Sequence, residues 1–442
     1  MRGLFSLATA TWVAALVSQV AGSTIVHPGG VDDIIITDDN ILNSTTRYDF
    51  PGSDNSTKLL KVNAAQAASN PLPLSLVNNY KAGINVYITG QDQSGRPCFL
   101  GSNGQYVYPQ ADNTGVPLLV TAAVQIPLGG VGSTTNFQIP GSLISARIYF
   151  AAGTLKFYTV KDGNGVSAIV QPAAVNPNDP SAGVQWGFVE FNYDSSTLYG
   201  NISFVDFVGL PLGMGLTVGG SQQVVQGLMP NAVNNICNGL NAQHNADGKQ
   251  WDQLCQSSGG QALRVLSPNL FISADGSRFS GYYDTYVNQV WSQYTSQDLI
   301  IDTQSVGKVA CRVSGAQMTC AGDNRAYPKP TAADIFGCNS GPFAIIGGDN
   351  AVHNAVVPRL CAAFERSTLL LAGGNVQPSL PASTYYTVNP TNHYARLVHQ
   401  YETNSIGYAF SYDDVNPVGQ NAAGELAGAN PTNLKFTVGG WS

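Results

Sequence analysis

Two acidic side chains sit where acids are rarely found. In the run WGFVEFNYDSSTLYGNISFVDFVGLPL, Trp186 to Leu212, Glu190 interrupts one apolar stretch and Asp206 another. Alternation along a strand puts Phe188, Glu190 and Asn192 on one face and Val189, Phe191 and Tyr193 on the other; on the return run Ile202 and Phe204 share a face with Asp206. A carboxylate among apolar strand residues needs a partner or a purpose, because burying it unpaired is costly and raises its pKa. Hydrolysis of a glycosidic bond uses a pair of carboxyls, one protonated to assist the leaving oxygen and one ionised to activate water or attack directly. The plain structural alternative is that both acids are rim residues or ion-pair partners of Arg147.

The elements that must position this pair read as a hairpin, with Asp194-Ser195-Ser196 as its turn. Adjacent strands, about 4.8 Å apart before side-chain reach is added, can hold two carboxyls on rigid elements near one bond. Upstream, period-two alternation begins near Leu74: Ile84, Val86 and Ile88 share a face, and Asn103-Gly104 divides two apolar runs as a tight turn does. Ile144, Ala146, Ile148 and Phe150 form another such face. These short strands predict a mainly β fold, a β-sandwich or barrel domain, over 74–212.

Past Leu212 the period lengthens. Tyr283, Val287, Val290, Trp291 and Tyr294 make an apolar helical stripe, a second helix is capped at Asp349 and interrupted by Pro358, and a third starts near Asn392. A mixed α/β domain is predicted over 213–404, after which strands in 405–442, ending in NLKFTV, return to complete the β-domain. Residues 23–73 lack sustained periodicity and read as an N-terminal arm or linker.

Composition narrows the partners. The 442 residues carry a net charge of −7 and only 11% charged residues, and no Lys/Arg cluster suits a nucleic-acid backbone. Met1 to Gly22 has the basic start, apolar middle and small-residue end of a signal peptide. Beyond it no apolar run is long enough to span a bilayer, so the chain is expected to be secreted, extracellular or in a cell wall, and monomeric. Asn43 and Asn55 open glycosylation sequons. Six of the seven cysteines fall between Cys237 and Cys361; the simplest of their many connectivities pairs Cys237 with Cys255, Cys311 with Cys320 and Cys338 with Cys361, leaving Cys98 as a buried thiol. The dispersed histidines offer no metal-ligand spacing and no phosphate loop is present, so neither metal nor cofactor is expected.

The segment FVEFNYD…LYGNISFVDFVGLPLGM resembles a run in thaumatin-like proteins, and is more similar still to the β-1,3-glucanases of glycoside hydrolase family 64. RVLSP from Arg264, AAFERSTLL from Ala362 and YAFSYDDV from Tyr408 resemble that family's second half. The resemblance implies a thaumatin-like β-domain and a mixed α/β domain flanking a wide groove, β-1,3-glucan as substrate, and endo-acting cleavage with inversion. It implies Glu190 as general acid and Asp206 as general base. Thaumatin-like proteins usually carry a further Asp where this chain has Gly200-Asn201, and many disulfides in the β-domain; both departures favour the glucanase branch. Trp186, Asn192, Asp194, Tyr199 and Asn201 are candidate sugar contacts, weighed against core or turn roles. The sequon at Asn201 is expected to stay unmodified so close to Asp206, and Tyr412-Asp413-Asp414 reads as a loop or groove-wall motif ahead of a metal site. A non-catalytic glucan-binding or antifungal protein is the alternative, and a structural wall protein a weaker one.

Overall fold

The computed structural model describes residues 33–46, 70–304, 306–420 and 423–441. The stretch read as a signal peptide and the sequon at Asn55 lie outside the described residues.

The chain is mostly β with mixed α/β parts. One large sheet runs Glu425–Ala429, Thr197–Asn201, Trp186–Tyr193, Leu143–Ala152, Ile84–Gln91, Pro97–Leu100 and Tyr106–Val107 in spatial order, with Ile126–Pro127 added beside Ile84–Gln91. A five-stranded sheet, Ser221–Val225, Leu212–Val218, Pro431–Val438, Leu72–Asn78 and Ser133–Ile139, packs against it. Strand parity explains the contact: Val189, Phe191 and Tyr193 are buried on one side of their strand, and Phe191 and Phe150 both meet Phe436 of the second sheet. The second sheet extends to Val225, past the boundary placed at 212, because Leu212, Met214 and Leu216 keep alternating inward against Pro431–Val438.

The opposite face of the large sheet carries the site. Its lower half is filled by Tyr87, Tyr149, Phe157, Trp186, Phe188 and Phe207, a continuous set of ring contacts. Burying each such side chain contributes about 1.5–3 kcal/mol, which makes a rigid floor.

The remaining part combines helices Ala232–Asp247, Asp284–Gln293, Ala351–Glu365 and His393–Tyr401 with a sheet built on Leu299–Asp302 and Lys308–Ser314. Its helices follow the apolar stripes: Tyr283, Val287, Val290, Trp291 and Tyr294 are all buried. Pro358 lies inside one continuous helix, and the cap is Asn350, whose side chain accepts from the His353 amide; Asp349 instead pairs with Arg325. Disulfides join Cys237 to Cys255, Cys311 to Cys320 and Cys338 to Cys361, while Cys98 is free and buried. One contiguous apolar cluster runs through both parts.

The N-terminal stretch differs from the loose arm expected of it. Ile41–Leu42 pairs with Ser167–Val170, and Asn40 is buried with its side chain bonded to the backbone at Ile35 and Thr37. Among the described residues no helix is long and apolar enough to cross a membrane.

Candidate active site

A single cross-strand row organises the site-bearing face of the large sheet. Thr89 lies opposite Arg147, Arg147 opposite Glu190, Glu190 opposite Asn201, and Asn201 opposite Glu425. Side chains that share a row and a face meet at short range. The Arg147 guanidinium bonds Glu190 Oε1 through both Nε and Nη2, each at 2.9 Å, and Nη2 lies 3.7 Å from Asp206 Oδ2. It stacks on the Phe188 ring, its carbon 4.4 Å from the ring centre, while Nη1 donates to Gln171 Oε1 and to the Asp39 carbonyl. Both acids singled out in the sequence therefore converge on Arg147, so the ion-pair reading and the catalytic reading describe one cluster.

Asp206 reaches the cluster by a route that strand alternation does not give. The return strand ends at Asn201; Ile202 and Phe204 are then both buried, and the backbone at 202–204 bonds to Tyr408. The chain next joins a different sheet, where Phe207–Val208 pairs with Gln261–Leu266 and the Asp206 carbonyl accepts from the Ser267 amide. Gly209 permits this close passage, since a Cβ there would lie 1.9 Å from the Trp186 carbonyl oxygen. Asp206 thus sits on a linking segment braced by two sheets, not on the strand beside Glu190.

One guanidinium nitrogen touching both acids limits their separation: Glu190 Oε1 and Asp206 Oδ2 can be no farther apart than the sum of 2.9 and 3.7 Å. That ceiling reaches the lower end of the range of about 6.5–9.5 Å typical of inverting glycosidases. The side chains remain accessible, Glu190 at 14% and Asp206 at 31% exposure. Burial pushes the Asp206 carboxyl up to about 6; Arg147 opposes this, and the charges of Glu190 and Asp39 add to it. Asp206 is therefore the carboxyl whose proton exchange falls nearest to neutral pH, while Arg147 sits closer to Glu190.

The candidate sugar contacts separate. Tyr199 and Asn192 face each other one row from Glu190–Asn201, both partly exposed, but the Asn192 carbonyl oxygen is taken by the Ser145 amide. Asp194 is a turn residue: one of its oxygens accepts from the amides of Ser196 and Thr197. Trp186 is 2% exposed beneath Phe207 and presents no platform. Asn201 is 5% exposed, its Oδ1 buried without a hydrogen-bond partner. The sequence reading did not single out Glu425, at the far end of the row, whose carboxyl is raised by burial and by nearby Asp414. Nor did it single out Asp39 of the N-terminal stretch. Among the described residues no group of His, Cys, Asp and Glu suits a metal ion.

A second acidic cluster lies elsewhere, with Arg366, Asp413 and Glu402 buried and His399 at its edge. Arg366 pairs with Asp413 at 2.8 Å, Asp413 with His399 Nε2 at 2.8 Å, and His399 Nδ1 with Glu402 at 3.0 Å. Burial works against the charged ring, but Asp413 and Glu402 raise His399 well above the usual histidine range. Asp413 is thus an interior anchor and not part of a groove-wall loop.

Residues 70–438 match the model of glycoside hydrolase family 64, described as β-1,3-glucanase. A glucan endo-1,3-β-glucosidase of Cellulosimicrobium cellulans is 28% identical over 365 residues, covering 80% of this chain and 63% of the relative. Another glucan endo-1,3-β-glucosidase, from Arthrobacter sp. strain YCWD3, is 27% identical over the same shares. The chain therefore spans less than two thirds of these relatives. A laminaripentaose-producing β-1,3-glucanase, solved in complex with laminaritetraose, superposes with a TM-score of 0.71 at 29% identity, over 84% of this chain and 98% of that one. A family 64 β-1,3-glucanase domain from Clostridium beijerinckii shares the fold with a TM-score of 0.64 at 22% identity, again over 84% and 98%.

Proposed function

The chain belongs to glycoside hydrolase family 64, and from that premise we propose that it is a secreted endo-β-1,3-glucanase that uses Glu190 and Asp206 as its acid–base pair. The observation that carries the reading is the convergence of these two partly exposed carboxyls on one buried arginine over an aromatic floor. Rigid elements hold such geometry better than loops do.

In the proposed reaction Glu190 gives a proton to the glycosidic oxygen as the bond from that oxygen to the sugar's anomeric carbon breaks. A water between the acids attacks the opposite face of that carbon, and its proton passes to Asp206. The new hydroxyl then has the α configuration, and the pair regains its starting protonation when Asp206 releases its proton and Glu190 is reprotonated. A carboxyl pushed up to about 6 is a stronger base than an ordinary aspartate, which suits it to take that proton at pH values from about 6 upward. The acid role asks that bound sugar draw Glu190 away from Arg147.

The test is release of reducing sugar from laminarin, curdlan, pustulan and cellulose. The proposal expects release from the β-1,3-linked laminarin and curdlan and none from cellulose. Binding to curdlan without any release would return the chain to the non-catalytic glucan-binding reading.

A further inference from the structure

The row that holds Glu190 continues past the catalytic pair. On the side away from Arg147 stand Asn201 and then Glu425, each the cross-strand partner of the residue before it, so their side chains leave the same face of the sheet. Asn201 is 5% exposed, and its amide makes no hydrogen bond among the described residues: Oδ1 is enclosed without a donor, and Nδ2 meets no acceptor. A buried amide left unpaired costs folding free energy, so its presence in a well-packed sheet calls for a reason outside the fold. Glu425 beside it is partly exposed, and no donor among the described residues reaches its carboxyl.

Both residues are held firmly. Glu425 opens the edge strand Glu425–Ala429, whose outer side is closed by Gln223: Nε2 donates to the Ala427 carbonyl at 2.8 Å, and Oε1 accepts from the Ala427 amide at 3.2 Å. Because the Ala427 backbone turns outward to Gln223, Ala427 and Glu425 face Tyr199 and Asn201 as non-hydrogen-bonded pairs, the kind in which opposing side chains stand closest. Gly424 leads into the strand at φ 65°, where a Cβ would come within 2.8 Å of Ile406. Two strand spacings, roughly 10 Å, separate Glu425 from Glu190, which places the pair beneath a sugar adjoining the bond to be cut.

We propose that Asn201 and Glu425 form a linkage-reading subsite, in which Asn201 Nδ2 donates to the 4-hydroxyl of a bound glucosyl unit and the Glu425 carboxylate accepts from its 6-hydroxyl. The inference rests on the glucanase reading and deepens it. A donor beside an acceptor suits hydroxyls, which give one hydrogen and accept others. A β-1,3 linkage occupies the oxygens on C1 and C3 of each internal unit and leaves the 4- and 6-hydroxyls free along one edge of the ring. A β-1,4 linkage consumes the first of these and a β-1,6 linkage the second. A site built to bond both discriminates against chains that lack either, because its own polar groups are then left unpaired. The 6-hydroxyl, carried on an exocyclic arm, reaches the acid that stands farther along the row.

The experiment is calorimetric binding of laminarihexaose, and of laminarihexaose with every 6-hydroxyl replaced by hydrogen, to Glu190→Gln alone and combined with Glu425→Ala, Glu425→Gln or Asn201→Ala. Glu190→Gln alone is expected to prefer the unmodified sugar by about tenfold or more. Adding Glu425→Ala should weaken binding of the unmodified sugar by about tenfold and abolish the preference, while Glu425→Gln, which keeps an acceptor oxygen, retains part of it. Asn201→Ala should weaken binding and leave the preference intact, since its target is the other hydroxyl. Equal binding of the two sugars by Glu190→Gln, or a preference that survives Glu425→Ala, overturns the proposal. If the unaltered chain releases no sugar from laminarin, the glucanase reading has failed; if it does so while the preference survives Glu425→Ala, only the subsite has failed.

Discussion

The molecule contains two arginine–carboxylate clusters built from the same parts, and one of them is open where the other is closed. Around Arg366, Asp413 and Glu402 are at most 1% exposed and every charge has a partner within the cluster. Around Arg147, Glu190 and Asp206 are partly exposed, and the arginine meets one acid at hydrogen-bond distance and the other only at 3.7 Å. Closure turns charge into structure: burial opposes ionisation of Asp413, yet His399 and Arg366 together draw its carboxyl below the ordinary range. Around Arg147 burial pushes Asp206 up to about 6, because a single arginine nitrogen at 3.7 Å does not offset it as Arg366 and His399 do for Asp413. An acid that keeps accessible surface and lacks a full set of donors can exchange a proton with a ligand, whereas one enclosed by donors cannot.

The largest expected effect separates the clusters by activity. Glu190→Gln and Asp206→Asn should each lower laminarin turnover by about a thousandfold with far-ultraviolet circular dichroism unchanged; two active variants would show that the open cluster is structural too. Next, Asp413→Asn should cost about 3–5 kcal/mol of stability in urea titration, because a buried arginine and the partly buried His399 lose their shared buried partner. Its folded fraction should retain parental kcat, and a selective loss of kcat would erase the distinction between the regions.

Acidity gives a smaller and more diagnostic effect. With Asp206 as base, kcat/KM should rise with pH through about 6 and fall roughly tenfold per unit below it. A profile that instead falls through about 6 as pH rises would exchange the roles of Glu190 and Asp206. The smallest effect is on stability. Below the ordinary aspartate value of 3.8 both folded and unfolded chains hold the proton; between there and about 6 the unfolded chain loses it first, so the raised group increasingly disfavours folding and does so fully above about 6. Asp206→Asn should therefore gain about 1–2 kcal/mol at pH 7, discounted for partial exposure, and nothing at pH 3. Equal gains at both pH values would locate the strain elsewhere.

The sequence disclosed most where a local rule was broken or strictly kept. Glu190 was legible because a charge interrupts an alternating apolar strand, and the same signal at Arg147 marks its partner. Asn103-Gly104 turns between Pro97–Leu100 and Tyr106–Val107 with Gly104 at φ 76°, as its local chemistry demands. Asp206 was legible as a residue but not as a position, because the strand ends at Asn201 and the chain crosses to pair with Gln261–Leu266, a tertiary decision that local alternation does not report. Trp186 shares the parity of Glu190, yet Phe207 covers it, and residue type does not report such cover. The seating of residues 33–46 was invisible for a related reason: a two-residue strand at Ile41–Leu42 and scattered contacts to distant segments leave no period in the chain.

The gap between the acids carries the account, since a water must fit there for the displacement to be direct. Proton NMR of the first product from laminarin tests this, read before the anomers equilibrate. The α-anomer is the predicted result; an initial β-anomer would mean that a carboxylate attacks the sugar itself and would contradict the arrangement of Glu190 and Asp206 proposed for this enzyme.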